Sequence, residues 1–250
     1  LRNEGGTLRA GIAGAPVATG TSAIPGAANA NAAGTQGHLT IKTSGDVVNR
    51  EQGLMLAMGK LAIDAANVDN TTQSRIVARD VDIDARGNVG NLDSAIEADG
   101  TLAIDAETIV NRKKAAASSS APAPATPSGQ IGALNVTLKA RQSLDNAGRI
   151  EGGNVTVTTE ALHNRAAGEI LGQGGLVDIG THTYDNAGKI HSTQAAKLTL
   201  TQGANLEIDA ALKLPTADQW LALKANDITV GRDLASAGDL VLEASGAIRN

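Results

Sequence analysis

The chain has 250 residues and a formal net charge of −5, with 29 Gly, one Trp, one Tyr and neither Phe nor Cys. The lack of Cys leaves no disulfide, thiol nucleophile or Cys-based zinc site, and the acidic balance provides no field for nucleic acid or an anionic membrane. No apolar run approaches the ~20 residues of a membrane-spanning helix, and 42% apolar residues is too many for a disordered chain. A core without aromatic bulk has to be filled by Leu, Ile, Val and Ala. That suits a narrow interior repeated many times better than one thick core.

The opening phrase, Leu1-Arg2-Asn3-Glu4-Gly5-Gly6, reads like a repeat entered in mid-course, without a starting Met or a signal peptide. It predicts a segment of a longer protein. From residue 9 to 36 the pattern dissolves into Ala, Gly, Thr and Asn with two prolines, which predicts a loop extruded from the first coil. Leu39-Thr40-Ile41 resumes a strand pattern. An aliphatic residue then stands two places before each of Asn49, Asn70, Asn91 and Asn111, spaced 21, 21 and 20 apart. Between these anchors fall Leu61-Ala62-Ile63, Val81-Asp82-Ile83 and Leu102-Ala103-Ile104. Alternation of this kind puts both aliphatic residues inward and the middle one outward.

Residues 113–130, rich in Ala, Ser and Pro, predict a second extruded loop, and Ile104 to the equivalent Leu138 spans 34 residues. Five of the six prolines lie in the two inserts, where no strand ladder needs their missing N–H. One phrase then recurs: Leu144-Asp145-Asn146-Ala147-Gly148-Arg149-Ile150, then Leu162-His163-Asn164 with Gly168-Glu169-Ile170, then Tyr184-Asp185-Asn186-Ala187-Gly188-Lys189-Ile190. Each phrase leads into a short strand: Val155-Thr156-Val157, Val177-Asp178-Ile179 and Leu198-Thr199-Leu200. Beyond Thr201 the strands Leu206-Glu207-Ile208, Leu221-Ala222-Leu223, Ile228-Thr229-Val230 and Leu240-Val241-Leu242 continue while the Asn anchors fade.

A fixed period near 20 with short strands and Gly- or Asn-containing turns predicts an all-β solenoid, a parallel β-helix of about ten coils. The runs are too short for a leucine-rich repeat, which needs a longer Leu-x-x-Leu-x-Leu frame. Each strand pairs with its equivalent one coil away at about 4.8 Å. Corner glycines are expected to supply positive φ, and Asn tolerates that region. Asn49, Asn70, Asn91, Asn111, Asn146, Asn164 and Asn186 read as an inward ladder of side-chain amides, with a ligand-binding row as the other reading.

The phrase at 144–150 and the strand that follows it resemble the haemagglutinin repeats of the filamentous haemagglutinin family, the large exoproteins of two-partner secretion. The shafts of contact-dependent growth-inhibition toxins carry similar repeats. The resemblance covers most of residues 39–201 and, more weakly, both flanks. It implies a right-handed β-helical rod, exported by an outer-membrane partner transporter and secreted or displayed on a bacterial surface as an adhesin for host-cell glycans or receptors. The chain has no Arg-Gly-Asp tripeptide, so integrin binding through that motif is not carried over.

Chemistry beyond a scaffold is sparse. The alternatives are the shaft of a contact-dependent growth-inhibition toxin and a carbohydrate-active β-helix enzyme, and the enzyme would need paired carboxylates in one groove. Asp64, Asp84 and Asp105 each follow a strand isoleucine and should stack one coil apart. They read as solvated strand ends or as a weak Ca²⁺ site. His163 and His182 lie 19 apart, a spacing that could make them neighbours on adjacent coils, but without an acidic or Cys partner at metal-ligand spacing His38, His163, His182 and His191 read as surface or turn residues. Arg112-Lys113-Lys114, at the entry to the second insert, reads as a solvated loop base, a contact for glycans, or a protease site. No catalytic residue and no cofactor is expected.

Overall fold

The computed structural model describes residues 1–11, 37–112, 129–173, 175–192, 195–200, 205–208, 212–214, 221–231, 233–236 and 239–250. It is all-β without helix: a β-solenoid of about seven turns whose parallel strands stack about 21 residues apart. Three faces run along the stack. The first carries the in-register series Thr7, Leu54, Arg75, Ala95, Gln130, Arg149, Glu169 and Lys189. The second carries Leu39, Leu61, Val81, Leu102, Val136, Val155 and Val177, and the third Val47, Val68, Val89, Ile109, Leu144, Leu162 and Tyr184. Individual strands turn corners without leaving the ladder. Leu54–Ala65 covers two faces, and its register with Arg75–Ala85 slips between Ala57 and Lys60, where the chain bends.

Each coil fills the interior from the same few positions. The first face contributes one large residue (Met55, Ile76, Ile96, Ile131, Ile150 or Ile170) and the second a pair such as Leu61 and Ile63 or Val81 and Ile83, all buried. A small residue closes the second face at Ala65, Ala85, Ala106 and Ala140, and the buried Thr159 and Thr181 stand there in later coils. Their hydroxyls do not go unpaired: Thr159 donates to the Ala161 carbonyl at 3.1 Å and Thr181 to that of Thr183 at 2.8 Å. A buried hydroxyl is tolerated only with such a partner.

One clasp secures the outer corners. The Asn88 N–H donates to Oδ1 of Asn67 one coil earlier at 2.8 Å. The same bond joins Thr101 to Asp80 at 3.0 Å, Leu176 to Asn154 at 3.0 Å and Ala247 to Asp227 at 2.6 Å. A glycine precedes the donor each time. At Gly87 the reason is steric, because a Cβ there would lie 2.4 Å from the Asn67 Oδ1.

Positive φ is supplied by Gly5, Gly11 and Gly129, as expected of corner glycines, and also by residues that are not glycine. Glu51, Gln52, Thr72, Gln73 and Asp93 adopt it, in the turns that follow Asn49, Asn70 and Asn91. The anchor asparagines themselves lie in strands with ordinary φ. Left-handed backbone in a β-branched residue such as Thr72 is strained. It is held by cross-coil bonds on either side, from Gln52 N–H to the Thr72 carbonyl and from Gln73 N–H to the Asp93 carbonyl, both 2.9 Å.

Both inserts are shorter than expected. Arg9 and Ala10 complete the strand Thr7–Ala10 by pairing with Leu56 and Ala57, and Gln130 opens the strand Gln130–Asn146. Residues 12–36 and 113–128 lie outside the described residues. The described residues that flank them lie close together: a Cβ on Gly11 would fall 2.4 Å from the Gly37 nitrogen, and one on Gly129 2.6 Å from that of Arg112. Among the described residues the stack does not run as one paired sheet to the end. Continuous pairing in one sheet ends at Ala195–Leu200, and the strands from Asn205 onward pair in separate parallel sheets of three, two and two strands.

The clasp makes a double-mutant prediction. Gly87→Ala is expected to destabilise the chain by about 1–3 kcal/mol, as overpacking does. In an Asn67→Ala background the same change should cost much less, because the colliding oxygen is gone. Urea melts of the four proteins measure the coupling, and strict additivity would contradict the clasp.

Candidate functional site

The most ordered polar feature is the inner row at the corner between the third and first faces. Asn3, Asn49, Asn70, Asn91, Asn111, Asn146, Asn164 and Asn186 stack in register. Each Nδ2 donates to the Oδ1 of the next, at 2.8, 2.8, 2.9, 2.9, 2.9, 2.8 and 2.7 Å. The second proton of each amide goes to the carbonyl of a residue that opens a first-face strand: Leu54 for Asn3, Arg75 for Asn49, Ala95 for Asn70, Gln130 for Asn91 and Arg149 for Asn111. Asn146 and Asn164 repeat the arrangement at Glu169 and Lys189. The five asparagines from Asn49 to Asn146 are fully buried. The row therefore spends its donors on itself and on these strand openings, and offers them to no ligand.

Asn3 belongs to this row and was absent from the sequence-derived set. Its signal was present, since Leu1 stands two places before it as Val47 does before Asn49. At the other end Tyr184 takes the place of Leu162 in register and packs against the core. Burial pushes its phenol far above the ordinary value, with a hydrogen bond to Asn186 pulling the other way.

The outward surface is covered by cross-coil ion pairs. Asp64, Asp84 and Asp105 stack in register on the second face, as their spacing predicts. Cations from neighbouring positions are threaded among them: Arg86 pairs with Asp64 at 3.2 Å, Lys139 with Asp105 at 2.9 Å, and Arg141 also with Asp105. Arg86 further donates to the carbonyls of Thr43 and Ser44, and Arg141 to those of Ala85 and Arg86. The Ca²⁺ candidate does not gain a cage from this arrangement, and among the described residues no group of three or more acids and histidines is placed to hold a metal.

His163 and His182 do not neighbour each other. His163 stands in register with Asp185, 3.4 Å from it, while His182 reaches back to Glu160 at 2.9 Å. The coil here is 22 residues long, so a spacing of 19 does not make neighbours. His38 Nδ1 accepts the Lys60 N–H at 2.9 Å. Of the basic triplet, Arg112 is exposed at the end of Thr101–Arg112, and Lys113 and Lys114 lie outside the described residues.

Beside the Gly129 foot of the second insert, the first face holds a shallow cleft of about 480 Å³. Gln130, Arg149, Glu151 and Glu169 line it, together with Gly148 and the small Ala167. Arg149 Nε lies 2.5 Å from Glu151, its Nη1 lies 4.0 Å from Glu169, and Lys189 approaches Glu169 at 3.3 Å. No motif announces this cleft, because its residues sit on three successive coils.

No protein-family model matches the chain, no characterised protein matches it in sequence, and no solved structure matches it. Among the described residues no helix is long and apolar enough to cross a membrane.

Two carboxylates respond to their surroundings in opposite directions. Asp80 is held below the usual range, first by the Thr101 N–H and then by the Thr101 hydroxyl. Asp69 is raised, first by partial burial against the stack and then by the Asp46 carboxylate. A raised carboxyl disfavours the charged folded form, so its destabilising effect is present above the folded pKa and fades as pH falls through it. Asp69→Asn is expected to raise Tm at pH 7, with the gain shrinking as pH falls through the carboxylate range near ~4. A gain that is constant with pH would contradict this assignment.

Proposed function

We propose that the chain is a shaft segment of a secreted or surface-displayed filamentous adhesin of a bacterium, exported with an outer-membrane partner transporter and serving attachment to host cells. The uninterrupted inner row of asparagines carries this reading. It ties successive coils into a stack whose length grows with the number of repeats, which is what a rod needs and what a compact catalytic domain does not. The resemblance of the Leu144–Ile150 phrase and its recurrences to haemagglutinin repeats supports it from the side of sequence. In this reading the shaft holds binding elements away from the bacterial surface, and the segment adds weak contacts of its own from the sides of the stack.

Attachment tests the proposal. Beads coated with the chain are expected to adhere to cultured animal cells several-fold above beads coated with an unrelated β-rich protein, and soluble chain should compete. Adhesion no better than the control would contradict an adhesive role for this segment. Release of reducing ends from a polysaccharide panel would favour the carbohydrate-active enzyme instead.

A further inference from the structure

Resting on that adhesive reading, we propose that the cleft lined by Gln130, Arg149, Glu151 and Glu169 is a subsite for an uncharged saccharide. Its size of about 480 Å³ lies within the ~300–1,000 Å³ of small-molecule sites. Gly148 and Ala167 also line it, and neither brings a long side chain against a sugar ring. Its walls alternate hydrogen-bonding character. The Arg149 guanidinium only donates, the two carboxylates only accept, and the Gln130 amide does both. A sugar hydroxyl is donor and acceptor at once, and a pair of adjacent hydroxyls can bridge a guanidinium and a carboxylate.

Charge selects against the anionic alternative. The lining holds one Arg and two Glu, and Arg149 already faces both acids. A sulfate would have to displace a carboxylate from Arg149 while remaining beside it, and like charges so placed cost affinity. Lys189 does not reverse this, because it is engaged with Glu169. The cleft thus differs in its preference from the Arg112-Lys113-Lys114 run, which would favour sulfated chains. It is also pre-formed: its walls come from three adjacent strands of one sheet, and the carbonyls of Gln130, Arg149 and Glu169 are each bound by an inner asparagine. Little ordering is then required on binding. With a shallow shape and no aromatic platform, each site is expected to be weak, and many copies along a surface would act by avidity.

A glycan array carrying neutral oligosaccharides beside sulfated and sialylated counterparts tests the assignment, with millimolar titrations in solution for any hit. Three proteins are compared: the whole chain, Arg149→Ala, and a variant lacking residues 113–128, each checked for an unchanged β spectrum and melt. Gln130→Ala serves as a second probe should Arg149→Ala fail to fold. The expected result is binding of neutral glycans that falls by at least about tenfold in Arg149→Ala or Gln130→Ala, as for the loss of strong hydrogen bonds, and that survives removal of 113–128. Binding restricted to sulfated glycans and lost with 113–128 would overturn the proposal, as would no glycan binding by the folded chain. If bead adhesion to cells persisted in either of those cases, the adhesive reading would stand and only the ligand assignment would fall.

Discussion

A buried side-chain amide has two protons to donate and an oxygen to satisfy, and leaving one unpaired costs about 1–3 kcal/mol. The stacked asparagines meet that demand by repetition. Parallel strands lie about 4.8 Å apart, and at that spacing an amide in one coil reaches the oxygen of the next while its other proton reaches a backbone carbonyl. Seven such links run from Asn3 to Asn186 in one direction. Every link fixes register, because a slip of one residue would place a different side chain in the row and orphan partners on both sides. The strained turns at Glu51–Gln52 and Thr72–Gln73 are tolerable because the strands on either side are already committed.

In-register stacking has a drawback, since equivalent positions bring like side chains together. The acids at 64, 84 and 105 show how the chain accommodates it. Their repulsion is offset by Lys139, which stands in register with Asp105 in the next coil, and by Arg86 and Arg141, which approach from other positions in the coil. Elsewhere the sign changes between equivalent positions, as at Glu169 and Lys189, or an opposite charge reaches across from a neighbouring position, as in Arg75–Glu97 and Arg165–Asp145. Each exposed pair is worth only about 0–1 kcal/mol. Their arrangement matters more for choosing register than for total stability. The small inner position of the second face shows a comparable tolerance, accepting Thr159 and Thr181 in place of Ala because a carbonyl lies within reach.

Much of this architecture was legible from the sequence because a solenoid writes its geometry as a period. The Asn anchors, the alternating strand residues and the placement of the prolines each follow from one coil's local needs, so they repeat. What did not repeat was harder to read. The ends of the inserts depend on whether Ala10 and Gln130 find strand partners, which composition does not reveal. Coil length varies from 18 residues between Asn146 and Asn164 to 22 between Asn164 and Asn186, so a spacing of 19 does not place His182 beside His163. The pairing of glycine with an Asx one coil earlier was invisible as chemistry. It appears only when Gly87 and Asn67 are seen to compete for the same space. The cleft at Arg149 escaped notice for a related reason, being assembled from three coils with no common word.

The account rests on the inner row being hydrogen-bonded in solution, and side-chain amide exchange measured by NMR addresses that directly. The Nδ2 protons of Asn49, Asn70, Asn91, Asn111 and Asn146 should exchange at least about a hundredfold more slowly than those of the exposed Asn88, since they open only when coils separate. Exchange of the buried asparagines at the rate of Asn88 would mean that the coils are held together by something else.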